Sequence, residues 1–177
     1  MRYPKLKKAY HNHYNNKQKL RVSMITITLL KNHPECVTRI AEIWHEVLGK
    51  KWFPEIGIQE IESGYLEELN DDMPLAYVAL HNDLPVGTCS LQFKGGIRPD
   101  LAPWLGDLVV DLAYQKQGIG KMLIDAAKNK AKELGFSNLY LFTFEPTLFA
   151  YYSKLGWNTI GIDKFKGQPV TVMEVAL

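Results

Sequence analysis

Residues 105–134 read LGDLVVDLAYQKQGIGKMLIDAAKNKAKEL, and this stretch decides the fold. Leu108, Val109 and Val110 form an apolar run of strand length, as expected where both faces of a sheet are covered. From Ile119 the period changes: Ile119, Met122, Leu123, Ala126, Ala127, Ala131 and Leu134 fall at helical spacing. Between the two lies Gln115-Lys116-Gln117-Gly118-Ile119-Gly120. Glycines let a backbone approach a ligand closely, and a helix start offers unpaired N–H groups and a positive dipole end. The junction therefore predicts an anion site, with phosphate as its natural occupant.

Two better-known phosphate loops do not fit. The dinucleotide fingerprint needs a third glycine where Leu123 stands. The P-loop needs a glycine at Gln115 and a Ser or Thr at Met122. What fits is Q/R-x-x-G-x-G/A after a strand, and a second segment lies downstream, Phe149-Ala150-Tyr151-Tyr152-Ser153-Lys154-Leu155-Gly156-Trp157. On these two segments the chain resembles the GNAT (Gcn5-related) N-acetyltransferases, whose acetyl-CoA loop and "FYxKLGF" segment they match in order and context.

Composition sets the outer limits. The 177 residues suffice for one domain with a proper core, at an apolar fraction of 46% and a charged fraction of 23%. The net charge of +2 conceals an asymmetry: residues 1–23 carry seven Lys/Arg and no acid, leaving 14 basic against 19 acidic residues elsewhere. A mildly acidic body behind a basic leader argues against a nucleic-acid partner. Cys36 and Cys89 make neither a disulfide framework nor a metal site, and their apolar settings predict buried thiols in a reducing cytoplasm. No apolar run reaches the roughly 20 residues of a membrane span. Residues 1–23 are expected to be a disordered basic leader, and His11 and His13 lack the third ligand a metal needs. The VSMITITLL segment alternates like a half-buried strand, not like an export signal.

In order, a strand over residues 24–30 leads to Asn32 as helix N-cap and a helix stopped by Gly49. An aromatic loop, Trp52-Phe53-Pro54-Glu55, precedes a second helix over residues 58–69. Glu67, Glu68, Asp71 and Asp72 read as a solvated acidic face. Strands at residues 75–80 and 85–93 flank a polar hairpin turn at His81-Asn82-Asp83. After the central strand and helix come a strand at residues 139–142, a helix at 146–155 and two closing strands. The order βααβββαβαββ makes an α/β (α+β) fold with a mixed central sheet, and it is the order the GNAT resemblance implies for one domain over residues 24–177.

The resemblance also implies an activity: acetyl transfer from acetyl-CoA directly to a primary amine of a small molecule or peptide. Gln115, Lys116, Gln117, Gly118, Ile119, Gly120 and Lys121 would hold the pyrophosphate, and the backbone of Leu108, Val109 and Val110 would pair with the pantetheine arm. The Val110 N–H is the candidate oxyanion donor. Tyr152 is the candidate general acid for the departing thiolate, and Asp107 the candidate base, direct or through water. Trp52, Phe53 and Glu55 are candidates for the acceptor wall. Glu145-Pro146 stands where many relatives carry an asparagine contact to the cofactor arm, so that contact is not expected. No metal is implied, a homodimer is left open, and a non-catalytic acyl-CoA-binding module is the alternative.

Overall fold

The computed structural model describes residues 24–177; the predicted leader and its histidines lie outside them. Seven strands form one mixed sheet in the order β1-β2-β3-β4-β5-β7-β6. They are β1 (Ile25–Leu29), β2 (Leu75–His81), β3 (Leu84–Gln92), β4 (Trp104–Val110), β5 (Asn138–Thr143), β6 (Asn158–Phe165) and β7 (Gln168–Ala176). The element order agrees with the sequence expectation. No helix among the described residues is long and apolar enough to cross a membrane.

Helix α1 is longer than its glycine suggested. It runs as α-helix over Val37–Trp44, widens into a π turn over His45–Gly49, and resumes over Lys50–Trp52. Gly49 sits inside it at φ −56°, whereas a terminating glycine takes positive φ. The glycine serves close packing: a Cβ there would lie 3.1 Å from both the His45 and Trp44 rings. Asn32 is not the N-cap either. It lies in a 3₁₀ turn, Leu30–Asn32, and its Nδ2 donates to Thr28 Oγ1. Helix α2 (Ile58–Glu67) follows, then α3 (Ile119–Glu133) and α4 (Pro146–Lys154).

The sheet separates two apolar layers. On one side Leu75, Ala79, Val86 and Leu91 pack under Leu123 and Ala127 of α3. On the other Ala76, Val78 and Leu80 pack under Ile40, Ile43 and Trp44 of α1. Strand alternation produces this division in β2, residue by residue. β4 breaks the alternation. Ser90 pairs with Gly106 and Thr88 with Val109, so two residues of β4, Asp107 and Leu108, oppose Cys89 alone. This β-bulge has its cost in Asp107, held at φ +51°, and it turns the strand over. Leu105 belongs to the α3 layer, but Val109 belongs to the α1 layer.

β4 and β5 run parallel, yet their pairing is confined to Trp104 opposite Tyr140. Beyond that point the strands separate, and the sheet opens into a cleft. Cys36 and Cys89 are buried, unbridged thiols, as the sequence suggested.

Candidate active site

Helix α3 begins where the glycine reading placed it. Gly118 precedes it at φ +82°, a conformation natural to glycine, and a Cβ there would meet nothing within 4 Å. The first-turn amides of Ile119, Gly120 and Lys121 have no carbonyl four residues back inside the helix, so they face outward as donors. Lys121 is tied to Asp125 at 2.5 Å. Gln115 braces the loop by donating from Nε2 to the Val110 carbonyl at 3.1 Å. Lys116, at φ +62°, and Gln117 are exposed on the loop's outer side. Gly120 faces Tyr151, whose hydroxyl would lie 3.1 Å from an added Cβ.

The loop lies at the end of β4, beside the cleft. The Asp111 amide donates to Val86 of β3, so by alternation the Val110 N–H and C=O face the opening. Leu108 and Val110 are half-buried and Val109 is buried. Asp111 is a turn residue: its Oδ1 accepts from the Ala113 amide and its Oδ2 from Arg39 at 2.5 Å.

A cavity of about 260 Å³ occupies the cleft, and Asp107 and Tyr152 both line it. The bulge aims Asp107 toward α1. Its Oδ1 accepts from Trp44 Nε1 at 2.8 Å and its Oδ2 from Ser90 Oγ at 3.0 Å. Burial raises the Asp107 pKa above the ordinary carboxyl value, and these two hydrogen bonds oppose the rise. Tyr152 is buried between Tyr151 and Trp157, and its phenol is pushed well up, chiefly by burial, so the hydroxyl stays protonated at neutral pH.

One functional-looking residue escaped the sequence reading. Glu68 is 8% exposed, not solvated like its acidic neighbours. Its Oε1 accepts from Gln92 Nε2 at 2.6 Å, and the same nitrogen donates to Ser90 Oγ at 3.1 Å. A rail of hydrogen bonds thus joins Glu68, Gln92, Ser90 and Asp107. Because Ser90 accepts from Gln92, its single proton is free to point at Asp107. Glu68 Oε2 and the Tyr65 hydroxyl are buried without partners. Burial, then the nearby Asp107 charge, pushes the Glu68 carboxyl up to about 8. The signal was present in the sequence: Ile61, Tyr65 and Glu68 share one helical face, and the first two are buried.

Trp52 and Phe53 line the cavity, while Glu55 is exposed and lies outside it. Phe142, Phe144 and Phe165 complete an aromatic wall that no local pattern announced. Glu145 also borders the cavity, ion-paired with Lys51.

Comparison with known proteins agrees with this fold. The chain overlays an aminoglycoside 6'-N-acetyltransferase complexed with coenzyme A at 21% identity and a TM-score of 0.66, covering 86% of this chain and 96% of that one. A spermidine N-acetyltransferase chimera from Vibrio cholerae matches at 18% identity and TM-score 0.66, covering 87% and 96%. An IAA acetyltransferase from Bacillus cereus matches at 20% and 0.63, covering 87% and 100%. No curated protein sequence matches. The model of the acetyltransferase (GNAT) family matches residues 37–157, well over half of the chain, and the protein belongs to that family.

Proposed function

We infer that this protein moves the acetyl group of acetyl-CoA directly to a primary amine, with Asp107 as base and Tyr152 as acid. The observation that carries this reading is that both side chains line one cavity, at the point where β4 and β5 part. The residues present fit the carrier. The open space at Gly118 and the outward amides of α3 suit a pyrophosphate, and the free edge of β4 suits an amide-bearing arm. The carrier supplies a thioester; the protein's part is to hold it and to manage two protons.

An alkyl ammonium has a pKa near 10, so almost none is nucleophilic at neutral pH. The amine must lose a proton, and the Asp107 carboxylate is the acceptor within the cavity. Burial helps here, because a base raised above the usual carboxylate range takes a proton more readily. Ser90 and Trp44 fix its orientation. Attack of the nitrogen on the thioester carbonyl then develops charge on oxygen, toward which the Val110 N–H is available. As the C–S bond breaks, the Tyr152 hydroxyl donates a proton to the departing thiolate, and the second proton of the attacking nitrogen passes to water, which leaves a neutral amide. The amide and the free thiol leave, and water or bulk buffer returns each residue to its starting state.

The test is incubation of the protein with acetyl-CoA and a broad amine panel, with mass detection of acetylated product. Asp107→Asn should lower kcat/KM by roughly 10²–10³-fold, in line with loss of a positioned base, while calorimetric acetyl-CoA affinity holds. Carrier binding with no amine acetylated would mark the protein as a binding module instead.

A further inference from the structure

The walls of the cavity say which amine. Resting on the transferase reading above, we propose that the acceptor is a monoamine on a flat aromatic or similarly apolar body, its nitrogen at Asp107 and its body among Trp52, Phe53 and Phe165.

Three sets of observations carry this. The first is the wall itself. Trp52 stacks on Phe144 with centroids 4.9 Å apart and planes at 20°, and Phe53 meets Phe144 and Phe165 edge-on at 5.5 and 6.0 Å. These rings come from the end of α1, the end of β5 and the end of β6, elements distant in sequence, and they converge on the cavity that also holds Asp107. Aromatic walls favour a flat apolar guest through contact area and ring geometry.

The second is charge. Two carboxylates border the cavity, Asp107 and Glu145, and Glu145 is already paired with Lys51. At the mouth Lys166 lies 5.3 Å from the centroid of the Phe53 ring, a cation where a polyamine would bring a second one. One ammonium is accommodated; a chain of them is not.

The third is hydrogen-bonding capacity. Trp44 Nε1 is spent on Asp107, Gln92 Nε2 on Glu68 and Ser90, and Thr143 Oγ1 accepts from the Glu145 amide at 3.1 Å. A polyhydroxylated aminosugar would leave its hydroxyls unpaired against the rings, which costs binding.

Acetyl-CoA turnover should be measured on the full chain with tryptamine, phenethylamine, spermidine and an aminoglycoside. The arylalkylamines should exceed both polycations in kcat/KM by roughly tenfold or more. Trp52→Ala should raise KM for tryptamine roughly tenfold, without a matching rise in KM for acetyl-CoA, and Trp52→Phe should recover most of the loss. Trp52→Glu should lower KM for spermidine. Turnover that favours spermidine or the aminoglycoside overturns the assignment and leaves the transferase reading standing; equal effects of Trp52→Ala and Trp52→Phe overturn the stacking. If acetyl-CoA binds and no amine is acetylated, both readings fall together.

Discussion

Glu68→Gln should make the protein's stability less sensitive to alkaline pH. The folded-state pKa of Glu68 is about 8 against an ordinary 4.5. A raised carboxyl pKa means the folded state holds a proton that the unfolded chain has released. Stability linked to this group is therefore complete below about pH 4.5, declines as pH rises, and is gone above about pH 8. At about 1.4 kcal/mol per unit the whole decline is worth about 5 kcal/mol, with about 3 kcal/mol already lost at pH 7. Water admitted around the ionised carboxylate relieves part of this, so the figure is a ceiling. The glutamine variant keeps a carbonyl for Gln92 and has nothing to ionise. Urea unfolding of both proteins at pH 5, 7 and 9 gives the comparison, and the wild-type curve should fall relative to the variant across that range. Parallel stabilities at all three pH values would refute the burial argument, and with it the rail that ties Glu68 to Asp107.

Other perturbations separate the parts of the site. Tyr152→Phe should cut kcat roughly 10²-fold, as for loss of a general acid, with acetyl-CoA affinity nearly unchanged in calorimetry; an unchanged rate removes Tyr152 from the mechanism. Gly120→Glu should abolish acetyl-CoA binding, since it adds bulk against Tyr151 and a negative charge at a phosphate site; retained tight binding counts against the loop. Gly95→Ala should destabilise the fold by about 1–3 kcal/mol, because a Cβ there would lie 2.4 Å from Trp104 Cδ2; a melting temperature equal to wild type would show that the loop simply moves aside.

Much of the scaffold was legible because its signals are local. The period change at Ile119, the two glycines and the polar turn at His81-Asn82-Asp83 each act within a few residues, and Asn82 and Asp83 do take positive φ. The misreadings share a different cause. Gly49 looked like a stop, yet what demands glycine is the pressure of the Trp44 and His45 rings. Glu68 looked solvated because three of its acidic companions are, although it shares the buried face of Ile61 and Tyr65, and its hydrogen-bond partner Gln92 lies 24 residues away. Leu108-Val109-Val110 is strand, as the sequence reads, but nothing in three apolar side chains reports that Asp107 has turned the backbone before them. Glu55 was grouped with Trp52 and Phe53 by adjacency alone. The aromatic wall is assembled from distant elements, so no window of sequence could contain it.

The irregularity in β4 also fixes how many residues this part of the chain can contain. Between Gly106 and Val109 the strand counts one more than its neighbour. Excising Leu108 would restore an even count and leave Val109 opposite Thr88 on the α1 layer, but Asp107 would then stand opposite Cys89 on the α3 face, with its carboxylate turned away from Trp44 and Ser90. Length in this segment is as tightly held as chemistry, since the one surplus residue is what brings the Asp107 carboxylate to the α1 side of the sheet.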